Sequence, residues 1–388
     1  MTMRTPSFTV GIEEEYLLVD RETFDLVSDP PPKILKECQR LTQSQVAPEL
    51  LRSQIEVGTR VCDNIADAHR DLLRLRGIVI EVAGREGLSL IAASTHPFGR
   101  WLEQKHTPVE RYADLTIEMQ AAARRLLIGG MHVHVGIEDD ELRIDLMNQM
   151  RYFLPHLLAL STSSPFWEGQ DTGLKSYRLT IFDALPRTGL PEHFASYAEY
   201  RRHVEILISA GLLEDATKIW WDMRPSDRYP TLETRIFDVC TSAEDAAALA
   251  ALTLCILRML YRLRLKNQRW RIYNQILLNE NRWRAMRYGI DDRLLDLAKG
   301  ELVPFGQLLE ELLDLIEEDA EALDCQQQVA SSREIIRRGT SAHRQVDAYT
   351  TARDAGSSHE EALCAVVAFL TEETARGVKP GKPVVGPL

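Results

Sequence analysis

Glu13 and Glu15 lie two residues apart in a segment, Thr9 to Val19, whose β-branched and apolar residues predict a β-strand. Side chains alternate faces along a strand, so these two carboxylates share one side while Glu14 takes the other. Like charges on one face repel, and burying them unpaired is costly. A hard divalent cation bound through oxygen would relieve both. The plain alternative is a solvated acidic edge strand that deters edge-to-edge pairing.

Four further strand-like runs have the same character. Gln54 and Glu56 share a face opposite Ile55 and Val57, and His132 and His134 share one opposite Val133 and Val135. Ser176, Arg178 and Thr180 oppose Tyr177, Leu179 and Ile181, and Glu233 shares a face with Arg235. Carboxylates with an imidazole suit Mg2+ or Mn2+, and arginines bind phosphate or carboxylate through paired N–H groups. Together they describe an ATP site in which metal ions bridge phosphate oxygens and arginines steady the transferring group. GxxxxGK, GxGxxG and HExxH are all absent, which argues against P-loop, Rossmann and zincin chemistry. Each feature has a structural alternative. His132 and His134 suit a hydrogen-bonded pair, and Glu233–Arg235 an exposed salt bridge worth about 0–1 kcal/mol. Arg178 suits a helix cap or a cover for an aromatic ring. Five such coincidences on five strands favour a single polar surface.

Composition narrows the field. The chain has 388 residues, 45% hydrophobic and 27% charged, as in a soluble globular protein of one large domain or two joined lobes. Its net charge of −12 speaks against non-specific nucleic-acid or anionic-membrane binding. Cys38, Cys62, Cys240, Cys255, Cys325 and Cys364 show no CxxC spacing and read as reduced, apolar residues. Met1 to Ser7 has no signal-peptide character. The most apolar run, Ala246 to Tyr261, is interrupted by Arg258 and reads as a buried core helix. A soluble, cytoplasmic protein without membrane partners is expected.

The elements that must position these residues alternate along the chain. Helices are expected over 63–85 with Asp63 as N-cap, 141–161 with a kink at Pro155, 243–266, 301–323 and 358–376. Strands are expected over 8–19, 53–58, 88–92, 131–137, 176–182 and 232–239. Period-two alternation without a βαβ rhythm predicts an α+β fold: a largely antiparallel sheet, one face open and polar, helices on the outer face. One catalytic domain over 1–376 is expected, mostly helical from 300, with a flexible tail over 377–388.

In this order, the stretches Gly11-Ile12-Glu13-Glu14-Glu15-Tyr16, Ser53 to Thr59, Ser94-Thr95-His96-Pro97-Phe98 and Gly130 to Gly136 resemble the glutamate–cysteine ligase type 2 family of ATP-dependent carboxylate–amine ligases. So do Ser163 to Gly169, Ser176-Tyr177-Arg178, Trp221 to Pro225, Thr231 to Asp238, Asn281 to Ala285 and Arg338 to Gln345. The resemblance runs from about residue 8 to 376. It implies a glutamine-synthetase-like fold whose sheet forms a funnel-shaped active site. It also implies activation of the γ-carboxylate of glutamate by ATP, then attack by an amine, cysteine by default.

Carried over residue by residue, it makes Glu13, Glu15, Glu56, His132 and Glu233 the metal ligands, for Mg2+ or Mn2+. Arg178, Arg235 and Glu233 become the catalytic set, the arginines holding the transferring phosphate or substrate carboxylates. Thr95, His96 and His134 would contact substrate, and Asn281, Arg284 and Arg344 would join the two arginines around the nucleotide. Partners would be small molecules, with a homodimer favoured and a monomer left open. Two other readings remain at this point: a guanidino-kinase-like phosphotransferase, and a nucleotide- and metal-binding regulatory protein without turnover.

Overall fold

The structure, a computed structural model, describes residues 5–109, 112 and 117–379. At its centre is a seven-stranded sheet. Its strands are β1 (Val10–Asp20), β2 (Val46–Pro48), β3 (Gln54–Gly58), β4 (Leu88–Ile91), β5 (Met131–Gly136), β6 (Met223–Pro225) and β7 (Thr231–Phe237). They run β6-β7-β5-β1-β3-β2, with β4 joined to β1 beyond the end of β5, and every pair is antiparallel. Around the sheet lie α1 (Pro32–Thr42), α2 (Ile65–Gly84), α3 (Asp140–Met150), α4 (Leu154–Ser161), α5 (Arg178–Phe182) and α6 (Tyr197–Ser209). After the last strand come α7 (Ala243–Leu265), α8 (Gln275–Tyr288), α9 (Phe305–Ala322), α10 (Gln326–Arg338), α11 (Ser341–Asp354) and α12 (His359–Thr374). This is the α+β architecture that the alternation predicts.

The alternation on β1 sorts its residues between two cores. Val10, Ile12, Tyr16 and Leu18 enter the larger one with Ile55, Val57, Val133 and Val135, covered by α2 and α7. On the opposite face Leu17 and Val19 join a second core with Leu363, Val366, Val367 and Leu370 of α12. Glu13 and Glu15 share that second face, so β1 is polar where they stand and apolar beyond them. Helix α7 is apolar all round, and among the described residues it alone is long and apolar enough to cross a membrane, yet 83% of its most apolar window is buried inside the protein.

Glu14 does point away from its neighbours. It is fully buried against Arg76 of α2, whose Nε and Nη2 donate to its two oxygens at 2.9 and 2.8 Å. The Tyr16 hydroxyl donates to Glu14 at 2.5 Å, and Arg76 also donates to the carbonyls of Cys240 and Thr241, both at 2.7 Å. A buried carboxylate is tolerable only with such complete pairing, and removing one partner would cost about 3–5 kcal/mol.

Several expected elements differ in the structure. The run 176–182 is a strand only at Ser176, which bridges Ser164; from Arg178 it is the short helix α5. Its alternation is met another way, with Leu179 entering the larger core and Ile181 the smaller. The N-cap of α2 is Asn64, which accepts from the Asp67 N–H at 2.9 Å, and not Asp63. The run 141–161 is two helices, with Pro155 in the first turn of the second, where its missing N–H costs nothing. Residues 301–304 form a hairpin strand with Arg293–Asp296 before α9 begins. The expected tail lies outside the described residues from 380 onward.

Candidate active site

Strand register decides which side chains meet. β1 runs between β5 and β3, so Glu13 lies opposite His132 on one side and Gly58 on the other, and Glu15 lies opposite Glu56. One strand further on, Glu233 of β7 pairs with His134 of β5 and with Arg224 of β6. All of them line one cleft of about 460 Å3 on the open face of the sheet.

Two groups within it have the makings of cation sites. One ligand atom from each of Glu13, His134 and Glu233 lies within 4.8 Å of the others, and the same holds for Glu15, Glu49 and Glu56. His134 Nδ1 is tied to Thr231 Oγ1 at 2.9 Å, which leaves Nε2 buried, 3.5 Å from Glu13 Oε1 and without a hydrogen-bond partner. An imidazole nitrogen fixed in this way is oriented as metal-ligating histidines are. Oxygen-rich groups with one imidazole fit a hard divalent ion such as Mg2+ or Mn2+.

The electrostatics separate the two groups. Burial drives the Glu15 carboxyl up to about 8, with the Glu49 charge adding to it and Arg178 opposing. Burial also raises Glu56 well above the usual carboxylate range, with Glu49, Glu13 and Glu15 contributing further. Glu13 faces the same burial penalty, but the adjoining His132 and His134 imidazoles outweigh it and hold its carboxyl low. Glu233 is held low against burial by the charges of Arg235 and Arg224. His132, 3.1 Å from Glu13 Oε2, is pulled down to about 4 by burial and by the Arg235 charge. One group is thus ionised and compensated, while the other holds three carboxyls that repel.

A cationic wall faces them. Arg224 grips Glu233 through Nε and Nη2 at 2.9 and 3.2 Å, and Arg235 ion-pairs with the same carboxylate. Arg178 is 3% exposed, and among the described residues its guanidinium makes only two long hydrogen bonds, to the Ile236 and Arg235 carbonyls at 3.5 and 3.4 Å. The Nε atoms of Arg178 and Arg235 are buried and have no hydrogen-bond partner among the described residues. Gly130 makes room for this guanidinium: a Cβ there would lie 2.5 Å from Arg178 Nη2, and the Gly130 N–H donates to Glu15 Oε2 at 2.8 Å.

A model of the glutamate–cysteine ligase family 2 matches residues 9–368. The chain belongs to that family. It is 58% identical over 387 residues to a Rhodospirillum rubrum protein that carries the provisional name glutamate–cysteine ligase 2, covering 98% of this chain and 100% of that one. A Chloroflexus aggregans protein of the same provisional name is 43% identical over 372 residues, covering 96% and 93%. Among solved structures the chain is similar to a Francisella tularensis glutamate–cysteine ligase in complex with AMP, with a TM-score of 0.68 at 13% identity, covering 97% and 91%. A bifunctional glutathione synthetase from Pasteurella multocida gives 0.67 at 16% identity, covering 95% of this chain and 53% of that one. At these identities the structural likeness speaks for the fold alone. Membership makes the chain an ATP-dependent ligase that forms amide bonds.

Within this family fold, Glu13, Glu15, Glu56, His132, His134, Arg178, Glu233 and Arg235 come together in the cleft. His134, expected at the substrate, supplies the ligand atom of the first group, while His132 stands beside it on Glu13. Thr95 and His96 do not line the cleft. Thr95 Oγ1 donates to the Phe166 carbonyl at 2.9 Å, while His96 Nε2 lies 3.0 Å from the Phe24 carbonyl and Nδ1 accepts from the Gly99 N–H at 2.8 Å. Asn281, Arg284 and Arg344 are also elsewhere. The Asn281 amide exchanges two hydrogen bonds with the Leu295 backbone, Arg284 pairs with Asp292, and Arg344 pairs with Glu373. Asn281 and Arg284 fasten α8 to residues 292–295, and Arg344 links α11 to α12.

Glu49 and Arg224 were not singled out from sequence. Glu49 follows β2 on a loop, where no periodicity reveals a face. Arg224 sits in a strand of three residues, too short for a period to assign it a face, so the family-like stretch Trp221 to Pro225 was its signal.

Proposed function

We propose that this cleft joins the γ-carboxylate of glutamate to an amine, with cysteine as the default acceptor, through a γ-glutamyl phosphate. The observation that carries this reading is the close packing of two carboxylate-rich groups against buried arginines with unpartnered N–H groups. A carboxylate is a poor acyl donor because its leaving group would be oxide. Attack of a γ-carboxylate oxygen on the γ-phosphorus of ATP expels ADP and leaves an acyl phosphate. The amine nitrogen then attacks the acyl carbon, inorganic phosphate departs, and the nitrogen loses its proton.

Glu13, His134 and Glu233 would hold one divalent ion and Glu15, Glu49 and Glu56 another. Mg2+ or Mn2+ bound there would offset charge on the phosphoryl oxygens. Arg178 and Arg235 direct their free N–H groups to the transferring phosphate, an anion whose geometry suits guanidinium forks. Arg224 keeps Glu233 ionised and in place. Leu126, Ile128, Phe182 and Leu185 give the cleft a dry wall, which favours amine over water at the acyl phosphate. The working unit is a single catalytic domain over 1–376, acting on small molecules in the cytoplasm as a homodimer.

The test is release of ADP and phosphate from Mg-ATP and glutamate, alone and with a panel of amines. Release stimulated by cysteine, with γ-glutamylcysteine seen by mass spectrometry, is the expected result. Stimulation by a different amine alone would keep the mechanism and replace the acceptor. ADP formed together with a stable phosphorylated amine would overturn the ligase reading.

A further inference from the structure

We infer that Asp238 is a positioning residue that sets Arg178 in the cleft through a hub of serines, and this rests on the proposed role of Arg178 at the transferring phosphate. Asp238 follows β7 and is fully buried. Its Oδ2 accepts from the Ser163 N–H and the Ser164 hydroxyl, both at 2.8 Å, and its Oδ1 accepts from the Ser176 hydroxyl at 2.8 Å. Ser164 Oγ in turn accepts from the backbone N–H of Arg178 at 3.1 Å. The Tyr177 N–H donates to the Ser164 carbonyl at 3.0 Å, closing the bridge between residues 164 and 176.

One carboxylate therefore pins two chain segments, 163–164 and 176–178, that meet only at the isolated bridge between Ser164 and Ser176 among the described strands. The helix that Arg178 opens has five residues and little stability of its own. Its place in the cleft is set from outside.

The hub also leaves the guanidinium available. Asp238 lends Arg178 favourable charge from behind, against the burial that pulls its pKa down. Yet among the described residues the two form no ion pair, and the carboxylate oxygens are engaged by the serines instead. A direct pair would occupy the fork that the phosphate needs. The stretches Ser163-Ser164, Ser176-Tyr177-Arg178 and Asp238, which the chemistry of the cleft does not itself explain, are thus parts of one device.

A double-mutant cycle tests it in the full-length protein. Asp238→Asn turns one acceptor oxygen into a donor, so at least one of the three bonds is lost. The expected result is a fall in kcat of about 100-fold, the scale of an ångström-sized misplacement, with KM for ATP and glutamate within about twofold. Adding Asp238→Asn to Arg178→Ala should then cost almost nothing further. Losses that multiply in the double variant would overturn the inference, since Asp238 would act independently of Arg178. An Arg178→Ala variant with full activity would instead refute the proposed role of Arg178. Should Asp238→Asn fail to fold, Ser176→Ala takes its place in the same cycle, with the same expected and contradicting results.

Discussion

Glu15 and Glu56 face each other directly across β1 and β3, a like-charge pair at the floor of the cleft, with Glu49 close to both. Facing like charges destabilise a sheet, and here burial deepens the conflict. The fold tolerates this arrangement at a place where a cation would resolve it.

The pH dependence of stability follows from that pair. Burial raises Glu15 from 4.5 to about 8 and moves Glu56 the same way. The folded protein thus retains protons that the unfolded chain has already released, and metal-free stability falls as pH rises toward 8. The histidines His96, His132 and His156, pulled down to about 4 by burial, act in the opposite sense up to their ordinary value of 6.5. The useful window is therefore pH 6.5 to 8, where His134, raised against burial by Glu13 and Glu233, adds to the same fall. Thermal melts in that window should show a falling Tm without metal and a recovery with Mg2+ that grows with pH. A flat metal-free Tm, or a recovery independent of pH, would contradict the reading of this group.

Removing one of the repelling charges should stabilise the protein and damage its function. Glu56→Gln is expected to raise metal-free stability at pH 8 while abolishing activation by Mg2+. Urea titration and Mg2+-dependent turnover measure the two effects. Lower stability together with normal Mg2+ activation would place Glu56 outside the cation site.

Gly130 offers a steric test of Arg178. Its added Cβ would meet the far end of the guanidinium and not the backbone, so Gly130→Ala should fold normally. The displaced Arg178 should cost about 100-fold in kcat. Unchanged kinetics would show that the position of Arg178 is unimportant.

Much of this site is legible in the sequence because it is written on strands. Glu13, Glu15, Glu56, His132, His134 and Glu233 follow the two-residue period and register brings them together, while Arg235 keeps the period but lies where the register of β7 against β5 shifts. Arg178 reaches the cleft although its segment is a helix, because Asp238 and the serines place it, and no local period encodes such a long-range hub. Glu49 is hidden by its loop and Arg224 by the shortness of β6. The five expected helices are found at closely similar positions, one of them divided in two, and α10 and α11 fall in the mostly helical portion expected from 300, whereas α1, α5, α6 and α8 lie outside every expected helix. Packing against neighbours, not propensity, stabilises them.

Asn281 shows where a resemblance says more about fold than about chemistry. Asn281→Ala loses both hydrogen bonds to Leu295 and leaves buried backbone groups unpaired. It should lower stability by about 1–3 kcal/mol and leave KM for ATP within about twofold. A large rise in KM at unchanged stability would return Asn281 to the nucleotide site.

The most direct test of the acyl-phosphate account follows one oxygen atom. Glutamate labelled with 18O in its γ-carboxylate is turned over with Mg-ATP and the active amine, and the released phosphate is analysed by mass spectrometry. Activation through γ-glutamyl phosphate predicts one 18O atom carried into each phosphate formed. Phosphate free of label, alongside amide product, would contradict the mechanism at its centre.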